Sequence, residues 1–261
     1  MAILFGTRVF VAMIRSSLPR LLVLCTVAAT ALSGCATPEV AKGINDPYET
    51  QNRAVHETNK SIDRTILKPL SGGYGNTVPE PVRQSVGNFA GNLSLPGSIL
   101  NDVLQANIDD AAANTVRLLI NSTFGIGGIF DPATAWGLPA RDSDFGETLY
   151  VWGFAEGHYV ELPLLGPSTK RDAIGSLVDL FTNPLSYVLP SPERYVGPVA
   201  SATSKVGDRY RFGDTIDSIL YDSADSYVQA RILYLQNRRF RLGQEPPEDE
   251  IDPLSIDTEG F

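Results

Sequence analysis

The chain begins with a positively charged stretch followed by one mostly apolar run. Arg15 and Arg20 precede the run, which covers residues 21–32. A spanning helix needs about 20 apolar residues, so a run of twelve is too short to cross a bilayer. A charged start with a short apolar core is typical of an export signal.

The apolar run ends in Leu32-Ser33-Gly34-Cys35, a small-residue motif closed by a cysteine. This motif predicts a lipoprotein, in which residues 1–34 are the signal peptide and Cys35 becomes the acylated lipid anchor. Cleavage after Ala29-Thr30-Ala31 is the alternative, but it leaves the cysteine motif unexplained. Ala36 stands where an aspartate retains some lipoproteins at the inner membrane. We therefore expect an outer-membrane protein, anchored on the periplasmic side.

After an acylated linker of residues 35–45, proline and capping signals predict one helix after another. Asp46-Pro47-Tyr48-Glu49 has a capping acid, a proline at the first helical position and a glutamate three residues after the cap. It predicts a helix that ends near residue 67. Val78-Pro79-Glu80-Pro81 starts a second helix and Pro96 a third. Residues 107–121 have apolar positions at helical spacing, which indicates a fourth. The predicted fold class is mainly α.

Residues 118–130 are mostly apolar and carry three glycines before Asp131-Pro132. A helix of thirteen residues would be about 20 Å long, which is more than one leaflet of hydrocarbon and less than the roughly 30 Å of both. The run is therefore either a segment that dips into a bilayer or a buried core helix. Composition favours neither.

The next elements are less regular. Residues 148–152 and 159–164 are rich in aromatic and branched side chains, and the glycine-containing residues 153–158 between them predict a hairpin or a flexible loop. Gly166-Pro167-Ser168 predicts a further helix with Ser168 as its cap. Four prolines make residues 184–198 an irregular crossing.

The C-terminal part returns to a helical pattern at Asp208, with a break near Ser223. The last helix covers residues 225–242. Its end carries three cations, which we expect to interact with the helix dipole and solvent: Arg238, Arg239 and Arg241. Residues 244–261 hold seven acidic residues, three prolines and no lysine or arginine, which predicts an acidic disordered tail.

Charge and cysteine content exclude several classes of partner. The signal peptide holds three arginines and no acidic residue, so its removal changes the formal charge from −9 to −12. Such an acidic body argues against nucleic acid and against attraction to anionic headgroups, so apolar surface and the anchor must make the membrane contact. The only other cysteine, Cys25, lies in the signal peptide. The mature chain therefore has neither a disulfide nor a thiolate metal site.

Candidate catalytic residues are few. No Gly-x-Ser-x-Gly motif occurs, and the chain has two histidines, His56 and His158. Few residues are therefore candidates for a hydrolase triad. Residues 56–60 begin like a zinc-protease helix, but Lys60 stands where the second histidine is needed. We expect His56 on a helix surface. We predict that the protein is not an enzyme and binds no cofactor and no metal.

Three long segments carry a resemblance to a known family. They read RLLINSTFGIGGIFDPA at residues 117–133, DFGETL at 144–149 and LPLLGPSTKRD at 162–172. In this order they resemble the MlaA (VacJ) family of outer-membrane phospholipid-transport lipoproteins. The likeness runs from Asp46 to about residue 240, and it implies a helical MlaA-like domain over residues 46–243.

The resemblance implies a ring-like helical body partly embedded in the inner leaflet of the outer membrane, with an amphipathic channel and one hairpin loop. Mislocalised phospholipids would leave the outer leaflet through the channel and pass to a soluble periplasmic lipid-carrier protein, which maintains lipid asymmetry. A trimeric outer-membrane porin is the other implied partner. The hairpin or gate falls on Gly153, Gly157 and Tyr159. The membrane-inserted or channel residues fall on Phe124, Gly125, Gly127, Gly128 and Phe130.

A lipid channel is physically coherent with this sequence. Moving a phospholipid with about 32 methylenes into water would cost on the order of 25 kcal/mol, at about 0.8 kcal/mol per methylene, so the protein must lower that barrier. Lys170 and Arg171 lie at a predicted helix start near apolar residues 162–165 and are candidates for contact with a phosphate headgroup. The alternative is that they are surface cations paired with Asp172 or nearby acids.

Two other functions remain open. An envelope adaptor that moves no lipid predicts that the glycine-rich residues 118–130 pack in a dry core, whereas a channel predicts a polar passage. A lipid hydrolase needs a nucleophile and a base, and their absence from the motifs counts against it.

We expect Cys35→Ser to leave the folded body exported but unanchored, because the variant has no acylated residue to hold it at the membrane. Cell fractionation with immunoblotting should find the variant in the soluble periplasmic fraction. Retention in the outer-membrane fraction would show that apolar surface alone suffices for membrane binding.

Overall fold

The computed structural model describes residues 43–244, which are mainly helical. The predicted signal peptide, the predicted anchor Cys35 and the predicted tail from residue 245 lie outside the described residues. The helices are α1 (Glu49–Ile62), α2 (Lys68–Thr77), α3 (Glu80–Leu104), α4 (Ile108–Thr123), α5 (Pro132–Ala135), α6 (Phe145–Val151), α7 (Lys170–Thr182), α8 (Leu185–Val188), α9 (Val196–Arg211), α10 (Gly213–Asp217) and α11 (Ser226–Arg241). Strands β1 (Tyr159–Leu162) and β2 (Gly166–Thr169) form an antiparallel hairpin, with Tyr159 opposite Thr169.

The first helix is longer than predicted, and Asp46 does not cap it. A π-helical turn, Asp63–Leu67, joins α1 to α2 without a break. No side chain caps the start of α1. Instead, the Asp46 carboxylate accepts hydrogen bonds from Asn52 Nδ2 at 2.9 Å and from Tyr227 and Arg231. Hydrogen bonds between charged groups are roughly twice as strong as neutral ones. The Asp46 carboxylate therefore binds Arg231 of α11 rather than the backbone N–H groups at the start of α1.

Pro96 does not start a helix, because it lies inside α3. An interior proline costs about 3 kcal/mol, and the packing of α3 against α4 and α9 offsets this cost. The predicted start at Glu80 is confirmed. The predicted helix after residue 107 is also confirmed, since Asn107 caps α4 by accepting a hydrogen bond from the Asp110 N–H at 3.2 Å.

For residues 148–169, the loop alternative at residues 153–158 agrees with the structure, whereas the hairpin alternative and the predicted cap are wrong. Residues 148–151 belong to α6, and the β-turn of the hairpin lies at residues 163–165 rather than 153–158. Residues 166–169 are strand β2, so Thr169 replaces Ser168 as the cap of α7 and accepts from the Asp172 N–H at 3.2 Å. Residues 166–169 form a strand rather than a helix start because β2 pairs with β1. The helix signals in the local sequence do not indicate that pairing.

The C-terminal elements follow the prediction in part. The irregular crossing holds α8 and a 3₁₀ turn, Glu193–Tyr195, and α9 begins at Val196, well before the predicted start. A second π-helical turn, Ser218–Asp222, follows α10. The break near Ser223 and the start of α11 at Asp225 are confirmed, and the Asp225 side chain caps this helix.

The packed elements close into a ring. The continuous α1–α2 helix packs through α2 on α9, α9 packs on α3, α3 on α6, α6 on α7, α7 on the hairpin, and β1 packs back on α1. The last helix, α11, crosses against β2 and the second π-helical turn. The predicted ring-like, mainly helical body with one hairpin is therefore confirmed.

Much of what the ring buries is polar. The described apolar core cluster is small and consists of Tyr159, Tyr227 and Leu235. Many other buried residues are charged and paired. Arg209, for example, donates to both oxygens of Asp63 at 2.8 Å. Large apolar side chains such as Phe124 and Phe181 are exposed instead.

Two polar residues predicted at the surface are buried. His56 is only 3% exposed and lies between Glu161 and Ser226. Arg239 is 8% exposed, and its guanidinium donates to Glu156 at 2.9 and 3.0 Å. Both residues have partners far away in the sequence, which is why local helix signals did not place them.

We expect Gly175→Ala to lower the free energy of unfolding by about 1–3 kcal/mol, as overpacking in a close helix contact does. A Cβ on Gly175 would lie 2.6 Å from the Gly146 Cα, so α7 and α6 would have to separate. Thermal unfolding followed by circular dichroism measures this. The matched control is Gly91→Ala on α3, where the Cβ meets nothing within 4 Å. The control should be neutral or stabilising, and equal destabilisation by both variants would contradict the packing argument.

Candidate functional site

An open cavity of about 750 Å³ lies between the hairpin and helices α7, α9 and α11. Its volume is within the range of ligand sites. Its lining includes charged groups, here called the charged wall, namely Asp144, Asp172, Asp179, Lys205, Arg238 and Arg241. The same lining includes leucines, namely Leu162, Leu165, Leu177 and Leu180. We call this space the amphipathic cavity, because a single molecule inside it would meet both chemistries.

Arg238 organises the charged wall of the amphipathic cavity. Its guanidinium donates to both Asp144 oxygens at 2.7 Å and to both Asp172 oxygens at 2.9 and 3.1 Å. Tyr234 also donates to Asp172 at 2.7 Å. Burial by itself would raise the pKa of Asp144, but the hydrogen bonds and charge of Arg238 hold that pKa below its usual range. The expectation that Arg238 faces solvent is wrong.

Arg238 does not bind the other charged groups of the wall, which are Asp179, Lys205 and Arg241. Burial raises the pKa of Asp179 above its usual range, although this carboxylate accepts from the Phe145 N–H at 3.0 Å and from Asn101 at 3.1 Å. Lys205 and Arg241 are exposed and make no ion pair within residues 43–244. These two cations are therefore available to an anionic ligand.

The glycine-rich residues 124–130, here called the apolar turn, form neither a long helix nor a dry core. The helix ends at Thr123, and Phe124 is 70% exposed. Gly127 and Gly128 have φ of +71° and +93°, a region that favours glycine. Asn92 of α3 donates to the Gly127 carbonyl at 3.3 Å and fills the space a Gly128 side chain would need. The turn is thus held against α3 with its apolar side chains outward.

Residues 153–158 form a loop between α6 and β1. Gly153 and Gly157 have φ of +86° and +77°, so both require glycine's freedom. Tyr159 is not part of this loop: it begins β1, is 1% exposed and donates to Glu161. Its predicted place in a flexible hairpin is wrong, because its ring belongs to the core. Glu156 ties the middle of the loop to Arg239.

The two candidate headgroup contacts differ in accessibility. Lys170 is exposed, whereas Arg171 is 3% exposed with its guanidinium 5.2 Å from the centre of the Tyr150 ring. Arg171 Nε lies 3.4 Å from an Asp172 oxygen, so the pairing with Asp172 is observed while the surface position is not. Of these two residues, only Lys170 can contact a ligand without a rearrangement of the structure.

Within residues 43–244, no group of three or more histidine, cysteine, aspartate or glutamate residues is placed to hold a metal ion. In the same range, no helix combines the length and apolarity needed to cross a membrane.

Comparison with known proteins identifies the family to which this architecture belongs. A model of the MlaA lipoprotein family matches residues 44–241. The chain belongs to the MlaA lipoprotein family. It is 32% identical to the intermembrane phospholipid transport system lipoprotein MlaA of Haemophilus influenzae over 225 residues, which cover 83% of this chain and 88% of the relative. It is 30% identical to the Escherichia coli K12 protein of the same name over 238 residues, 88% and 92% of the two chains.

Two other similarities extend the comparison. An uncharacterized protein of Rickettsia felis is 38% identical over 189 residues, 72% of this MlaA family member and 74% of the relative. A solved structure described as "Structural basis for maintenance of bacterial outer membrane lipid asymmetry" superposes with a TM-score of 0.64 at 30% identity. It covers 76% of this chain and 98% of that one.

Sequence reasoning missed the charged wall, including Arg238, Asp144 and Lys205. One signal was present. Four residues at helical spacing are all buried on one face of α11, namely Tyr227, Arg231, Leu235 and Arg238. Arginines on the apolar face of a helix need buried acidic partners, which this MlaA family member supplies from distant elements.

We expect Arg238→Met to lower the free energy of unfolding by about 3–5 kcal/mol, because it leaves the buried Asp172 and its neighbour Asp144 without their cation. Chemical denaturation of the purified chain measures the loss. Arg211→Met, at an exposed position on α9, is the control and should change stability by less than about 0.5 kcal/mol.

Wild type and Arg238→Met also test how the free energy of unfolding depends on pH. Since the folded pKa of Asp144 is depressed, its contribution is fully present above the unfolded pKa of about 3.9 and is lost as pH falls through the folded pKa. Wild type should therefore lose more stability than Arg238→Met between pH 5 and the acid limit of folding. Parallel pH profiles would contradict the assignment.

Proposed function

We propose that this protein removes mislocalised phospholipids from the outer leaflet of the outer membrane and passes them to a soluble periplasmic lipid carrier, maintaining lipid asymmetry. One observation carries the proposal: the ring holds a cavity lined by both charged groups and leucines. The relatives named as phospholipid transport lipoproteins support the same substrate class.

The ring suits a passive passage. Its exposed apolar residues, such as Phe124, Phe130 and Trp136, would lie against acyl chains with the body partly embedded in one leaflet. A headgroup could then move along the charged wall while its tails stay on the leucines. Such a path avoids exposing methylenes to water, which is the main cost of extracting a lipid.

Several residues have proposed roles in this transport. Lys205, Arg241 and Lys170 are exposed cations that would meet the phosphate. Gly153 and Gly157 would let the loop of residues 153–158 gate the cavity, and the apolar turn would enter the leaflet. The acylated Cys35 would anchor the body on the periplasmic side of the outer membrane. A trimeric porin would hold it beside the lipid, and no transport step requires catalysis.

The adaptor alternative loses its main support. It required the glycine-rich run to pack in a dry core, whereas Phe124 is 70% and Ile126 63% exposed. An adaptor would also have no use for unpaired cations inside a half-apolar cavity.

We expect deletion of the gene to raise surface-exposed phospholipid, measured with an enzyme that reaches only the outer leaflet. Wild type should reverse the rise, and Lys205→Glu should fail to do so because it repels the phosphate from the cavity wall. Arg211→Glu makes the same charge change on the same helix, outside the cavity, and should complement fully. A deletion without effect would contradict lipid removal, and full complementation by Lys205→Glu would contradict the role of the charged wall.

A further inference from the structure

A second cluster of reactive side chains lies outside the amphipathic cavity. His56 Nε2 is 3.0 Å from Ser226 Oγ, and His56 Nδ1 is 3.2 Å from Glu161 Oε1. The three residues come from α1, α11 and β1, and their side chains are almost fully buried. A hydroxyl, an imidazole and a carboxylate linked in this order are the arrangement that serine hydrolases use.

The surrounding hydrogen bonds select one tautomer of a neutral His56 ring. Tyr159 donates to Glu161 Oε2, and the Glu161 N–H donates to Asn52 Oδ1 at 3.0 Å, so the carboxylate is held in place. Glu161 Oε1 accepts only from a protonated His56 Nδ1. Nε2 of the neutral ring is then the acceptor for the Ser226 hydroxyl proton.

Ser226 also has a positively charged environment. It is the first residue of α11, so its Oγ lies at the positive end of a sixteen-residue helix. Lys60 Nζ donates to the same Oγ at 3.2 Å. An ammonium group has three N–H donors, so Lys60 can also donate to an oxyanion that forms beside Ser226.

Ser226 opens onto a polar pocket of about 340 Å³. Its walls include Arg53, Glu57, Lys60 and Asp225, and it shares no lining residue with the amphipathic cavity. This volume is near the lower limit for ligand sites. A polar pocket of this size suits a short, polar ester, whereas two long acyl chains would have no apolar wall to lie on.

We propose that Ser226, His56 and Glu161 form a hydrolytic site for short-chain carboxylic esters. Ser226 Oγ forms a bond to the ester carbonyl carbon while its proton moves to His56 Nε2. Lys60 donates to the resulting oxyanion. The tetrahedral intermediate then breaks its bond to the alcohol oxygen, which takes the proton from His56, and leaves an acyl group on Ser226. Water attacks this acyl group by the same route and releases the carboxylic acid.

This site was not predicted from the sequence, for two reasons. Ser226 lacks the Gly-x-Ser-x-Gly context, and His56 was expected on a helix surface. A triad is defined by geometry rather than by the order or spacing of its residues. Here the serine and the histidine are 170 positions apart.

The experiment uses the purified mature lipoprotein in detergent. A biotinylated fluorophosphonate should label Ser226, located by peptide mass spectrometry, and p-nitrophenyl acetate should be hydrolysed faster than p-nitrophenyl palmitate. Ser226→Ala and His56→Gln should each lower the acetate rate about 100-fold, the lower range of a general-base contribution. The control, Ser71→Ala, removes a serine as buried as the triad, whose hydroxyl donates only within its own helix, and should retain the full rate.

Circular dichroism and thermal melting identify the variants that remain folded. Absence of label on Ser226 in the folded wild type would overturn the proposal, as would equal labelling of folded His56→Gln. In either case the His56–Ser226 hydrogen bond would serve only to pack α1 on α11. Lipid removal in cells is scored separately, so failure of this site leaves the transport proposal unaffected.

Discussion

The structure depends on buried ion pairs between arginines of late helices and acids of earlier elements. Arg231 binds Asp46, Arg238 binds both Asp144 and Asp172, and Arg239 binds Glu156. Such pairs add little net stability, since desolvation offsets the attraction, but leaving one partner alone is costly. They therefore select one arrangement of the helices over others.

This constraint also explains where the apolar side chains lie. Charged groups occupy much of the space between helices, so many large apolar side chains lie on the outside of the ring or in its amphipathic cavity. The usual separation into an apolar interior and a polar surface is partly reversed. A protein in water would expose too much apolar area in this way, whereas one partly immersed in acyl chains would not.

The sequence correctly predicted those features that depend only on neighbouring residues, such as helix starts. The helices after Asn107 and Asp225 begin where they were expected, because each of these residues caps its helix through backbone donors two or three residues away. The predictions failed for Asp46, Ser168 and His56, whose environments come from elements distant in the chain. The helical class and the ring were predictable from the pattern and the family resemblance. The charged wall of the cavity was not, since Arg238 and Asp144 are 94 positions apart.

The contact between Asp46 and α11 has a consequence for biogenesis. These partners are up to 185 positions apart, and synthesis of the chain reaches Asp46 long before it reaches Arg231. The carboxylate therefore lacks its arginine until the last helix has been synthesised. Contacts of such high sequence separation form late in folding. The ring is therefore completed only after the whole chain has been made, and until then its early acids have no arginine partner.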